Sequence, residues 1–228
     1  MNEKGIYWNK ISILEKLFLK ILKLNREELH QIFLKKINYN NNMSILDIGT
    51  ANTLNKNHNI ILSKTKKNKY LCCLTNQTLS KELIKKYPQI KKVLKGDGRN
   101  IKLKNNSFDI VYSSATLEHV GSLKNQIKFV SECYRVSKRF IFITTPNRFY
   151  PIDFHTKIPF IHWLPKKIHR NILLILNMKF YSKERNLNLL SVNDIKQILN
   201  NSSIAKYKII KKKFLFFTSN IIIFIEKN

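Results

Sequence analysis

The residues equipped for chemistry stand at the ends of short apolar runs, and their spacing says what they would do there. In residues 44–52, reading SILDIGTAN, Asp47 falls one position before the end of the run Ile45, Leu46, Ile48, and Gly49 follows at once. A carboxylate at the carboxyl end of a strand accepts hydrogen bonds from a ligand, and a glycine lets the backbone turn sharply and the ligand come close. The same residues suit an ordinary strand-to-turn junction, so this stretch alone leaves both readings open. Two later stretches repeat the arrangement: Asp97 between Gly96 and Gly98 after one run, and residues 113–119, SSATLEH, after the next. On neighbouring parallel strands all three lie at one edge of one sheet, where binding crevices form.

The elements that must hold these residues can be read from periodicity. The run at 45–48 is too short for a helix and is bounded by Asn40, Asn41 and Asn42, which predicts a buried strand. Further strands are predicted over 69–75, 90–94, 108–113 and 139–145, with helices over 80–87, ended by Pro88, and over 123–136. Residues 53–67 read as a loop with a short helix. Strands separated by helices imply parallel crossover units in an open, doubly wound sheet. Upstream, Ile11, Leu14, Leu17, Phe18, Ile21 and Leu22 recur at helical spacing, and Leu29, Ile32, Phe33 and Ile37 resume it after a break near Asn25. One or two amphipathic helices are expected there, packed on the core or lying on a membrane. Residues 147–190, with Pro151, Pro159 and Pro165, abandon the rhythm and are expected as an insertion above the carboxyl edge of the sheet. A helix over 192–200 capped by Ser191 and strands over 207–211 and 214–225 complete the chain, the last two too close in sequence to be anything but an antiparallel hairpin.

Composition bounds the partners. At 228 residues and 43% hydrophobic content the chain is long enough for one full core. Its apolar runs, such as 214–217 and 221–225, stop well short of the about 20 residues that cross a bilayer. The amino-terminal MNEKGIYWNK and the apolar residues beyond it are threaded with charge, unlike a signal peptide, and Cys72, Cys73 and Cys133 offer neither a disulfide framework nor metal-ligand spacing. A cytoplasmic location is expected, with peripheral contact to anionic membrane as an extension. The net charge of +28 comes mostly from Lys spread along the whole chain, together with heavy use of Asn and Ile. Those three residues share A/T-rich codons, so compositional drift on solvated faces accounts for the excess, while attraction to an anionic membrane or to nucleic acid would account for it as well.

Taken together, ILDIG at 45–49, GDGRNIKLKNNSFDIVYSSATLEHVG at 96–121 and TTPNRFYP at 144–151 resemble the class I S-adenosylmethionine-dependent methyltransferases of the type 11 group. The resemblance is carried by residues 44–146. It implies a Rossmann-like α/β domain with a seven-stranded, mainly parallel sheet whose last strand is antiparallel. Within one domain, 1–43 would be a helical cap, 44–146 the cofactor-binding core, 147–190 an acceptor-side insertion and 191–228 a helix and hairpin. It implies S-adenosyl-L-methionine as cofactor, with Asp47 and Gly49 beside its methionine portion, Ala51 in the same cofactor-binding loop, Asp97 on the adenine amine next to Gly98, and Ser113 and Ser114 on the pocket floor. His119, expected at the start of the following helix, would face the reacting methyl or the acceptor.

Two positions depart from that pattern. Ala51 and Thr53 stand where the group's first loop carries glycines, and the second strand ends in LTNQ, leaving Asn76 where an acidic residue would meet the ribose hydroxyls. An amide binds a diol more weakly than a carboxylate does. Methyl transfer to a hydroxyl or carboxyl group gains from a base or an orienting hydrogen bond, for which His119, Asp153 and His155 are the candidates. Asp153 and His155 serve equally as residues that satisfy an irregular loop. Some relatives acting on quinone precursors add a glutamate three positions before the Glu-His pair and hold a divalent ion; here that position is Ala115, and Glu118 with His119 alone predicts no metal. His155, His162 and His169 are seven apart, but Pro159 and Pro165 keep them off one helix. The insertion, rich in aliphatic, aromatic and basic residues, favours a small-molecule, glycan or lipid-linked acceptor over nucleic acid. A methyltransferase-like binding module without turnover and a basic nucleic-acid-binding protein are the competing readings.

Overall fold

The computed structural model describes the backbone of residues 13–227 and the side chains of residues 20–227. The short apolar runs pair into one seven-stranded sheet. The strands are β1 (Ile45–Ile48), β2 (Leu71–Thr75), β3 (Ile90–Lys95), β4 (Phe108–Ser114), β5 (Ser137–Pro146), β6 (Lys208–Phe214) and β7 (Phe217–Glu226), in the order β3-β2-β1-β4-β5-β7-β6. β1 to β5 run parallel, and β7 lies antiparallel to both β5 and β6. This is the expected Rossmann-like sheet with its last strand reversed.

The inner strands are apolar on both faces because both faces are covered. Ile45, Ile110, Tyr112, Phe142 and Phe224 pack in one layer with α1 (Ile13–Ile37), α2 (Ile60–Lys64) and α3 (Lys81–Lys86). Leu46, Val111, Ile141 and Ile223 face the other layer, built by α4 (Leu123–Val136) and α6 (Val192–Asn201). Local chemistry sets the boundaries. Ser80 Oγ accepts the Leu83 amide at 3.2 Å to start α3, and Ser191 and Asp194 form a reciprocal capping box on α6.

Three expectations shift. Residues 20–37 show no break at Asn25: α1 is one helix, because Asn25 faces inward as a polar clasp on the terminal hairpin. Its amide donates to Asn220 Oδ1 at 2.6 Å, and its carbonyl oxygen accepts from Ser219 Oγ and from the Lys212 ammonium, which also pairs with Glu28 at 2.7 Å. Ile11 and the side chains of Leu14, Leu17 and Phe18 lie outside the described residues. The hairpin turns at Leu215 and Phe216, later than the apolar pattern implied, with positive φ at both residues (47° and 69°). The third concerns His119, which sits in a separate short 3-10 turn, Leu117–His119, ahead of α4. The segment 147–190 holds a 3-10 turn at Ile161–Trp163 and α5 (Lys166–Ile175) between irregular stretches. No helix among the described residues is long and apolar enough to cross a membrane.

Candidate active site

β1 is flanked by β2 and β4, so the chains leaving β1 and β4 part at the carboxyl edge of the sheet. A cleft of about 990 Å³ opens there. Its apolar lining comes from Ile48, Leu74, Val120 and Phe129, and its polar lining includes Asn76, Gln77 and Asp97. Gly49 holds φ +92°, and a Cβ there would lie 2.1 Å from Thr116 Oγ1. A Cβ on Gly98 would lie 2.6 Å from the Phe129 ring, so only glycine lets the loop after β3 rest on that ring. The Asp97 carboxylate is gripped by Arg99, whose Nη2 stands 2.6 Å from Oδ2 and whose Nε stands 2.9 Å from both oxygens. These hydrogen bonds are the main reason its pKa falls below the usual carboxylate range. The donor set fits a nucleoside-bearing cofactor, with apolar faces for a flat ring and two amides and a carboxylate for hydroxyl and amino groups.

One wall of the cleft is a polar cluster built from three segments. His119 Nδ1 stands 2.6 Å from the Asn186 carbonyl, and His155 Nδ1 stands 3.0 Å from Asp153 Oδ1. The two Nε2 atoms face each other at 3.1 Å. Behind them Glu118 is fully buried, its Oε2 accepting from the Thr145 hydroxyl at 3.0 Å and its Oε1 without a hydrogen-bond partner. Asp153 also accepts from the His155 and Thr156 amides and the Thr156 hydroxyl, which ties the loop into one unit. Burial alone would raise Asp153, but its hydrogen bonds and the nearby imidazole outweigh it and draw the pKa down to about 2. Burial likewise opposes charge on His155, yet Asp153 and Glu118 hold its pKa above the ordinary histidine value.

A second cleft of about 320 Å³ lies on the other side of this wall. It is lined by Arg26 and Leu29 of α1, His58, Ser114 and Phe154, and it shares Ala115, His119, His155 and Tyr181 with the first. Arg26 is anchored to the Asn57 carbonyl.

Of the residues the sequence singled out, Gly49, Ala51, Asn76, Asp97, Gly98, His119 and His155 all line the larger cleft. Ser114, bonded to the Thr144 hydroxyl, lines the smaller one. Asp153 stands behind His155. Asp47 and Ser113 are buried beneath the cleft and are not part of its lining: Asp47 accepts from the Thr50 hydroxyl at 2.6 Å, and Ser113 Oγ donates to the Ile48 carbonyl at 2.9 Å. Burial pushes the Asp47 carboxyl up to about 6, against the lowering effect of Thr50. Arg26, Tyr181 and Asn186 join the site without having been singled out, as does Glu118, which the sequence weighed only as one of two metal ligands. The adjacency of Glu118 to His119 was its one signal, and Tyr181 and Asn186 lie in a stretch with no period to read.

Residues 47–140 match the family model described as a methyltransferase domain. No curated protein matches in sequence. Among solved structures, the chain is similar to a SAM-dependent methyltransferase from Aquifex aeolicus, at 17% identity over 92% of this chain and 96% of that one, with a TM-score of 0.56. It is also similar to a SAM-dependent methyltransferase from Archaeoglobus fulgidus, at 18% identity over 88% and 94%, with a TM-score of 0.51. At such identities the likeness is one of fold. Residues 47–140 thus match the model of a methyltransferase domain, in a chain with the Rossmann-like fold of these SAM-dependent methyltransferase structures.

Proposed function

We propose that the chain is an S-adenosyl-L-methionine-dependent methyltransferase whose larger cleft holds the cofactor and whose smaller cleft holds a small-molecule, glycan or lipid-linked acceptor. The observation that carries this reading is the shared wall: Ala115, His119, His155 and Tyr181 belong to both clefts. Two reactants held in clefts that meet at these residues would be set for an in-line displacement, in which positioning supplies much of the acceleration. Asn76 and Asp97 would hold the cofactor's hydroxyl and amino groups, with Phe129 and Leu74 against its base. When bound, the cofactor supplies an electrophilic methyl on a sulfonium. The chain's own task is to orient the acceptor and manage its proton. Held through Nδ1 by Asp153 and by the Asn186 carbonyl respectively, His155 and His119 turn Nε2 toward the junction, where they would orient the acceptor and exchange its proton.

The test is transfer of labelled methyl from S-adenosyl-L-methionine into pools of small molecules, glycans and lipid extracts. Label should enter one pool and fall at least about a hundredfold with His155→Ala. Cofactor binding without label in any pool would favour a binding module that has lost turnover. That second reading draws on the Arg99 grip on Asp97, together with Ala51, Thr53 and Asn76.

A further inference from the structure

Three side-chain atoms able to ligate a cation converge at the junction of the two clefts. The Asn186 carbonyl and the Asp153 carboxylate each engage one imidazole through Nδ1, which turns both Nε2 atoms toward the junction. The two Nε2 atoms are 3.1 Å apart, and Glu118 Oε1 lies 3.9 Å from that of His119 and 3.7 Å from that of His155. Glu118 is fully buried, and this oxygen has no hydrogen-bond partner. A buried carboxylate oxygen with no hydrogen-bond partner beside two imidazole nitrogens is a setting that favours a bound cation.

We propose that Glu118, His119 and His155 form a binding site for one divalent first-row transition ion, of the class that favours two imidazoles and a carboxylate. A point equidistant from the three donor atoms lies about 2.1 Å from each, which is the usual length of a zinc–imidazole or zinc–carboxylate bond. The surroundings are those of a built site. His155 carries a carboxylate on its second nitrogen, His119 a backbone carbonyl, and Glu118 the Thr145 hydroxyl on its second oxygen. The third ligand comes from the insertion, 36 residues after His119 in sequence, and position 115 takes no part. Because both imidazoles line both clefts while Glu118 lies behind them, the remaining coordination positions face the shared space. Resting on the methyl-transfer reading, an acceptor oxygen would complete the shell there, and the ion rather than a bare nitrogen would orient it. Ion binding itself does not depend on that reading.

The experiment uses the full chain stripped with a chelator, then titrated with Zn²⁺ by calorimetry and with Co²⁺ by visible absorption, with no methyl donor present. One equivalent should bind, with a d–d absorption of a nitrogen- and oxygen-ligated site. His119→Ala and His155→Ala, whose folding is checked by circular dichroism, should each weaken binding at least about tenfold, and Asp153→Asn by about tenfold through its loss of hold on His155. No stoichiometric binding by the folded parent, or unchanged affinity in both histidine variants, would overturn the site and leave the two imidazoles sharing a proton. Cofactor binding measured on the same stripped protein reports separately on the methyl-transfer reading.

Discussion

At the scale of the residue, the site depends on groups whose surroundings move them from ordinary behaviour. Asp47 is a buried carboxyl pushed up to about 6. Between the unfolded value near 4 and that folded value, the folded chain keeps a proton that the unfolded chain has released, so this group makes stability fall as pH rises through the window. Urea unfolding of the parent and of Asp47→Asn should therefore differ in slope. From pH 4 to pH 6.5 the parent should lose about 2 kcal/mol more than the variant, and parallel pH curves would refute the assignment. Asn76 makes the complementary case. Exposed in the larger cleft at the end of β2, it offers an amide where the family resemblance implies a carboxylate for a diol. Asn76→Asp should tighten cofactor binding by about tenfold, since charge-assisted hydrogen bonds are roughly twice as strong as neutral ones. An unchanged Kd would mean that the diol is held elsewhere.

Elements explain why some of this was legible in the sequence. The helix over 123–136 appears at those same limits because Leu123, Ile127, Val130 and Tyr134 repeat at helical spacing and Gly121-Ser122 precedes it. Asp97 and His119 could be placed at the cleft because strand ends are visible as the ends of apolar runs. The continuity of α1 was not legible: a buried Asn25 looks like a break until its partners on β6 and β7, almost 200 residues away, are known. Nor was the meeting of His155 with Glu118, since residues 147–190 are positioned by turns and by the Asp153 hub rather than by any period. The hairpin between β6 and β7 carries its own prediction. Leu215 and Phe216 both hold positive φ and are largely exposed, where a two-residue turn favours Asn-Gly. Leu215→Asn with Phe216→Gly should stabilise the chain by about 1 kcal/mol, or about 2–4 °C in Tm. A lower Tm in calorimetric scans would show that the two apolar side chains pack usefully in solution.

For the whole molecule, the +28 charge is consistent with Lys on solvated faces, yet part of it reaches the larger cleft. Lys95, Arg99 and Arg185 line that cleft around the single carboxylate of Asp97. A cleft so charged disfavours a sulfonium relative to the neutral thioether left after transfer, so S-adenosylhomocysteine should bind more tightly than S-adenosyl-L-methionine. Calorimetric titration of the purified chain with both compounds, alongside Asp97→Ala, tests the central claim most directly. One-to-one binding in the micromolar range, about −8 kcal/mol, weakened at least about tenfold in Asp97→Ala, is the predicted result. Absence of binding by protein that is folded and monodisperse would contradict it, and the cleft at the carboxyl edge of the sheet would then need another ligand.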